Sequence, residues 1–314
     1  MQNITTKQFQ LLSDNQAVWN LLVKAYTENG VEAPFFEYAL TSTWLDKRYL
    51  YLNKLWFDGD NAVGFVFYEA PCTDIYFCLH RGYEALADEM IAYAQKYMPG
   101  NDDEKTLILH PNQTALIKAA EKGGYRQEYV NEDYVIDFGT AVLNYPLPEG
   151  FHLIDPLHAD PVKVAVCMWK GFDHEDKGPF ENWKAKDPGT DWNPQKAYMG
   201  VISDTMAPPP HATYEYNVII ADEKEDYVCF SGMWWIPENK LAYMEPLCTV
   251  PEYRHRGLAA AALTIHYRRM KELGAECMTG GGNDFYRKIG YNRKSLSYGW
   301  KKYETKHETG EKHQ

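Results

Sequence analysis

Val250-Pro251-Glu252-Tyr253-Arg254-His255-Arg256-Gly257-Leu258-Ala259 is the stretch on which the fold turns. Upstream, Leu241 to Val250 reads as a strand. Downstream, Gly257 to Leu273 reads as a helix: Ala259, Ala262, Leu263, His266, Met270 and Leu273 share one face, and Thr264, Arg268, Lys271 and Glu272 fall on the other. Gly274 is placed to end that helix. A tight basic turn therefore joins a strand end to a helix start. The first helical N–H groups have no internal partner, and the helix dipole adds partial positive charge, so such a turn suits phosphate. Gly257 admits an anion close to the backbone, and Arg254 and Arg256 add full charges.

With its flanking strand and helix, this stretch resembles the pyrophosphate loop of the GNAT superfamily of acyl-CoA-dependent N-acyltransferases. The superfamily pattern, Arg/Gln-x-x-Gly-x-Gly/Ala, is met by Arg254, Gly257 and Ala259. Pro251 stands where many members carry a proline. Phe285-Tyr286-Arg287-Lys288-Ile289-Gly290-Tyr291 resembles a second superfamily motif, a short aromatic-Tyr-x-x-x-Gly-Phe/Tyr helix. Aligned on it, Tyr286 matches the tyrosine that faces the coenzyme A sulfur. There a phenol (reference pKa about 10) can give a hydrogen bond or proton to a departing thiolate (thiol pKa about 8.5). Many members place an asparagine about seven residues before this tyrosine. Asn283 lies three before it, after Gly280-Gly281-Gly282, so that role is not carried over.

The resemblance implies acetyl-CoA as co-substrate, held by Leu247, Cys248, Val250, Arg254, His255, Arg256, Gly257, Leu258 and Ala259. The backbone of Leu247, Cys248 and Val250 would pair with the pantetheine amides where this strand parts from the next. A backbone N–H there would also stabilise an oxyanion. Pro246 cannot donate a ladder hydrogen bond, so it marks a bulge or an edge. Glu245 sits beside the gap and is the candidate base, relaying the amine proton through water. His211, Glu215 and Asp222 are weaker candidates, and His266, on the apolar helix face, is read as a satisfied core histidine. No metal site is expected.

Composition agrees with that chemistry. At 314 residues the chain is long enough for two domains. Its net charge of −12 disfavours nucleic acid. It suits a cationic acceptor beside a local basic spot for a polyanion. No run of about 18 apolar residues predicts a membrane span, and the N-terminus does not read as a signal peptide. Cys72, Cys78, Cys167, Cys229, Cys248 and Cys277 form no CxxC pair. Free thiols in a cytoplasmic protein are the expectation.

Taken in order, the two halves repeat one succession of helices, hairpin, strand, helix, strand, helix and strand, with a period of roughly 170 residues. Lys122-Gly123-Gly124-Tyr125 stands against Lys288-Ile289-Gly290-Tyr291. The expected fold class is α/β (α+β): two tandem GNAT-like domains, each a mixed, mostly antiparallel sheet flanked by helices. Residues 1–140 form a degenerate domain, 147–303 a catalytic one, and 304–314 a disordered tail. In the first half Tyr49 to Phe57 and Ala62 to Tyr68 read as a hairpin, and Gln127 to Phe138 as another. Ala120 stands where the second half has Tyr286, and Glu84 or Ala85 where it has the phosphate loop. This half is expected to support the other by packing, to shape the acceptor cleft or to mediate a homodimer.

In the second half Trp169, Phe172, Phe180, Trp183, Trp192, Tyr214, Tyr216, Trp234, Trp235 and Tyr243 crowd the acceptor side. Asp173, Glu175, Asp176 and Glu181 are interleaved, a mixture that suits a cationic amine. A further helix is expected over 197–203. The implied activity is transfer of an acetyl group from acetyl-CoA to a primary amine of a small molecule, by direct attack in a ternary complex. The alternatives are a non-catalytic acyl-CoA-binding or scaffold protein, and an acetyltransferase acting on a peptide or protein amine.

Overall fold

The structure is a computed structural model that describes residues 3–27, 30–42, 45–184, 193–196, 198–200 and 209–303. Trp192, most of the helix expected over 197–203 and the tail 304–314 lie outside the described residues. The chain divides into two compact units. One holds residues 1–31, 46–131 and 296–314, the other 32–45 and 132–295.

The first unit contains strands β1 (Ile4–Gln8), β2 (Lys54–Asp58), β3 (Asn61–Tyr68), β4 (Asp74–Leu79) and β5 (Thr106–Leu109). Its helices are α1 (Leu11–Ala25), α3 (Ala87–Tyr97) and α4 (Thr114–Lys122). β1 to β4 pair antiparallel in sequence order, β4 and β5 pair parallel, and β5 is flanked by the end of the chain, β12 (Arg293–Lys302). Tyr298 faces Leu109 and Trp300 faces Leu107 in that last pair.

The second unit contains β7 (Phe151–Ile154), β8 (Val218–Asp222), β9 (Tyr227–Ile236), β10 (Leu241–Thr249) and β11 (Cys277–Thr279). Its helices are α2 (Ala33–Thr41), α5 (Pro161–Gly171), α6 (Leu258–Glu272) and α7 (Asp284–Ile289). β7 to β10 pair antiparallel and β10 pairs parallel with β11. β11 is flanked by the end of β6 (Tyr125–Asp137), with Thr279 facing Val135 and Cys277 facing Asp137.

Each unit thus closes its sheet with a strand from the far half of the sequence. The expected cut between 140 and 147 does not coincide with these units: β12 pairs with β5, and the end of β6 pairs with β11. The hairpin expected over 127–138 is one long strand instead, because no residue between Arg126 and Ile136 takes the positive φ of a tight turn. In the first hairpin, Lys47–Leu52 is a 3-10 helix, and the strand starts only at Lys54. The edge strand β1 was not foreseen in so polar a stretch.

Alternation along the second unit's strands gives its sheet two apolar faces. Ile219, Phe230 and Cys248 pack with Val164, Ala165, Cys167 and Trp169 of α5. Val218, Ile220 and Val228 pack with Leu258 and Ala262 of α6. α6 ends where expected, with Gly274 at φ +94°. Trp169, Phe180, Trp234 and Tyr243 are buried in this core, whereas Glu175, Asp176 and Glu181 are solvated.

Candidate active site

The site starts from an interruption of β10. Its antiparallel register with β9 shifts between Met244 and Leu247, a bulge that contains Pro246. On its other edge β10 is paired with β11 only through Leu241 and Ala242, and Met244 N–H donates to Thr279 Oγ1 at 2.8 Å. Beyond that point β10 continues to Thr249 with no partner residue on β11. The two strands part here, while Pro246 lies in the bulge on the β9 side. Leu247, Cys248 and Thr249 line the resulting cleft of about 400 Å³, together with Arg254, His255, Gly257, Leu258, Ala259, Asn283 and Tyr286.

The floor of the cleft is the loop before α6. His255 and Gly257 both adopt the left-handed conformation, at φ +61° and +87°. Gly257 is the N-cap residue, and no side chain caps the helix. The first intrahelical bond runs from Ala261 N–H to Gly257 O. The N–H groups of Leu258, Ala259 and Ala260 therefore precede the ladder and carry the positive end of the dipole. That arrangement binds anions through backbone N–H groups.

The two arginines differ. Arg254 is tied down: its Nε donates to Thr249 O at 3.1 Å, and its Nη2 donates to Gly171 O and to Asp173, each at 2.9 Å. The Asp173 pair is exposed and contributes little. The two carbonyl bonds fix the loop against β10 and the C-terminus of α5. Arg256 is exposed and lies over the Tyr253 ring, 5.0 Å from its centroid. The Tyr253 hydroxyl donates to Asp222 at 2.6 Å. Val250 departs from expectation. Its N–H donates to Val228 O and its carbonyl accepts from Tyr253 N–H, so its backbone is already paired.

Tyr286 forms the opposite wall from α7. Its ring packs against the glycine turn, where a Cβ on Gly280 would fall 2.7 Å from it. Gly280 and Gly281 also exchange backbone bonds with Tyr134 of β6. The triplet thus seats the ring, and the Gly280 N–H is engaged by β6. Asn283 caps α7, its Oδ1 accepting from Phe285 N–H at 2.9 Å. The Tyr286 side chain is largely buried, yet its hydroxyl has no hydrogen-bond partner among the described residues. Burial, reinforced by the charges of Glu245 and Asp133, raises its pKa well above the ordinary phenol range. The phenol is protonated at neutral pH and donates a hydrogen bond more readily than a proton.

Two carboxylates were missed in the sequence. Asp133, on β6, lies beside Gly282; it keeps an exposed surface, yet the protein packed around its carboxyl raises its pKa by desolvation. Glu32, just before α2, is pushed up to about 7, mainly by burial and further by Asp133. Part of its surface is open although it sits deep in the unit. Both come from the first half of the sequence, so no motif spacing around Tyr286 points to them.

Glu245 lines a second cavity, on the α5 face, with Pro246, Gly232, Phe230 and Trp234. Of the other candidates, His211 is bonded to the buried Glu37 at 2.8 Å. Asp222 is held by turn N–H groups and Tyr253, and Glu215 is exposed. His266 is fully buried, as expected, but neither ring nitrogen has a hydrogen-bond partner among the described residues. Ser231 backbone lies near it without reaching bonding geometry. Burial lowers its pKa to about 3. No group of three or more metal-ligating side chains occurs among the described residues. No helix among them is long and apolar enough to cross a membrane.

The first unit has a corresponding cleft of about 500 Å³, between the end of β4, the end of α1 and the start of α4. There the Glu84 carboxylate accepts the Gly82 N–H at 2.9 Å, which holds its pKa below the usual range. Gln113 donates its side-chain amide to Phe77 O at 2.7 Å. Ala120 is fully buried in α4 and offers no phenol. Two backbone groups at this cleft are thus bonded by the chain's own side chains.

No protein-family model matches the sequence, nor does any curated protein. Solved structures do. The chain is similar to an acetyltransferase from the GNAT family of Colwellia psychrerythraea, with TM-score 0.58 and 9% identity over 96% of this chain and 100% of that one. It is similar to a tandem GNAT protein from the clavulanic acid biosynthesis pathway, with TM-score 0.53 and 11% identity over 95% and 98%. A GCN5-related N-acetyltransferase from Sphaerobacter thermophilus gives TM-score 0.52 and 16% identity over 95% of each chain. At such identities the likeness shows the fold. The chain has the GNAT fold, with the mixed, mostly antiparallel sheets flanked by helices of a tandem arrangement.

Proposed function

We propose that the second unit transfers an acetyl group from acetyl-CoA to a primary amine of a small molecule, by direct attack in a ternary complex. The observation that carries this reading is the meeting, in one cleft, of an open strand edge, an uncapped helix N-terminus and an unpartnered phenol. The free N–H groups of Leu258 to Ala260 and the charge of Arg256 suit a pyrophosphate. The edge of β10 around Leu247 and Cys248 suits the amides of a pantetheine arm. The thioester supplies an activated acyl carbon.

Glu245 lies where the amine would arrive. An ammonium must lose a proton before attack, and a carboxylate at the bulge takes it through water and returns it to solvent. The new N–C bond forms as the C–S bond breaks. The nitrogen sheds its second proton to solvent, giving the amide and coenzyme A thiolate. The hydroxyl of Tyr286 donates a hydrogen bond to the sulfur as charge develops there. Its raised pKa makes full proton transfer to a thiolate uphill. A thiolate leaves well unprotonated and takes its proton from water.

The test is thiol release from acetyl-CoA with a panel of primary amines, with the N-acetyl product identified by mass. Amine-dependent release supports the reading. An intact protein that binds acetyl-CoA without transferring the acetyl group to any amine would instead be a binding protein.

A further inference from the structure

Asp133 stands beside the turn that seats Tyr286, and Glu32 stands within reach of its charge. Tyr286 is only 8% exposed and lines the cofactor cleft, and its hydroxyl has no hydrogen-bond partner among the described residues. A buried phenol without a partner points to a ligand that supplies one. A Cβ on Gly281 would fall 3.8 Å from that hydroxyl, and one on Gly282 would fall 3.5 Å from Oδ1 of Asp133. Hydroxyl and carboxylate thus flank consecutive residues of one turn, and neither residue puts a side chain between them. Alternation along β6 agrees. Tyr134 and Ile136 pack with the core cluster that contains Tyr286, whereas Asp133 keeps an exposed surface. Glu32, just before α2, is half-buried.

We propose that Asp133 and Glu32 form a subsite for a second, non-reacting ammonium of the acceptor, which is therefore a diamine. The inference rests on the acyl-transfer reading and narrows its substrate. Neither carboxylate forms an ion pair among the described residues. Burial penalises each charge, and two like charges held together repel. A cation between them offsets both costs. No group of three metal-ligating side chains occurs among the described residues, so an ammonium suits the pair better than a divalent ion, which takes six or more oxygen ligands.

The pair is ill suited to the nitrogen that reacts. A carboxylate in direct contact with an ammonium favours its charged form, whereas attack on a thioester needs the neutral amine. What the pair can hold is a charge that persists through the reaction. The charge of Asp133 bears on the Tyr286 hydroxyl, where the mechanism puts the sulfur, and it bears on Glu32 in the other direction. An acceptor lying along this line brings one amine to the thioester and leaves the other on the carboxylates. A monoamine lacks the anchoring charge, and an amino acid would bring a carboxylate to two others.

The experiment compares straight-chain diamines of three to six carbons with the monoamines and terminal amino acids of the same lengths, at saturating acetyl-CoA. The best diamine should exceed its matched monoamine and amino acid by at least about tenfold in kcat/KM. Asp133→Asn and Glu32→Gln keep the side-chain shape and break no ion pair, so the melting temperature should not fall. Each should raise the KM for that diamine by about tenfold and erase most of its advantage over the monoamine, with acetyl-CoA affinity unchanged. Calorimetry of the diamine against the protein with coenzyme A should show the same weakening without turnover. Equal or better use of monoamines or amino acids, or a diamine preference that survives in both variants, overturns the inference and leaves acyl transfer standing. Transfer to no amine overturns both.

Discussion

A Cβ on Gly232 would lie 2.2 Å from the carbonyl oxygen of Glu245. The bulge that opens β10 fits only because its neighbour on β9 has no side chain. The obstructing atom is backbone, so no rotamer change relieves it. Gly232→Ala should lower stability by about 1–3 kcal/mol or more, the usual cost of overpacking, in urea denaturation. It should weaken acetyl-CoA binding in the same protein. Unchanged stability would mean that the bulge is not held by this contact.

Tyr286→Phe keeps the ring against the glycine turn and removes a hydroxyl that bonds to nothing among the described residues. The melting temperature should barely move. The rate constant kcat should fall by about 10²-fold, the lower end of the range for a positioned donor. The KM for acetyl-CoA should hold, since the bond strengthens as charge reaches sulfur. A variant with wild-type kcat would remove Tyr286 from the mechanism.

Arg256→Glu reverses an exposed charge beside the free N–H groups of α6. Calorimetry should show acetyl-CoA bound at least about tenfold more weakly, about 1.4 kcal/mol, with no loss of melting temperature. Arg254→Ala should instead lower the melting temperature, because Arg254 ties the loop to Thr249 and Gly171. The reverse assignment, with Arg254 silent for stability, would contradict this division of labour.

His266 carries a pH dependence. Its folded pKa of about 3 lies below the ordinary 6.5, so the unfolded chain takes up a proton first as pH falls. Stability from this group is present above about 6.5 and is lost as pH falls towards 3. His266→Leu removes two unpartnered ring nitrogens from the core, and such a change is neutral or stabilising near neutral pH. Denaturation at pH 7.5 and 4.5 should show a smaller acid loss in the variant. Parallel losses would place the acid sensitivity elsewhere.

Local pattern carried much of the second unit. The apolar face of α6, the Arg254 to Ala259 turn and the helix around Tyr286 are short-range signals. The structure brings Arg254, His255, Gly257, Leu258, Ala259 and Tyr286 to one cleft, whereas Thr264, read on the polar face of α6, is buried and Leu273, read on the apolar face, is exposed. Pairing across long separations was not legible. β12 reads as the next strand of its own half, but its partner β5 lies almost two hundred residues earlier. The same blindness hid Asp133, whose charge bears on Tyr286, and Glu32, which feels Asp133 in turn. Arg254 and Val250 fit the motif by type and spacing, yet the bonds that engage them depend on tertiary neighbours, Gly171 and Val228. The orphaned nitrogens of His266 likewise follow from what packs around them, since a helical face tells only that a residue is buried.

We propose that only the second unit binds the cofactor, because at the first unit's cleft Glu84 already bonds the Gly82 N–H and Gln113 the Phe77 carbonyl. Calorimetric titration of the intact chain with acetyl-CoA tests it most directly. A single site per chain is expected, weakened by Arg256→Glu and unaffected by Glu84→Gln at the wild-type site. Two equivalent sites per chain, or no binding at all, would contradict it.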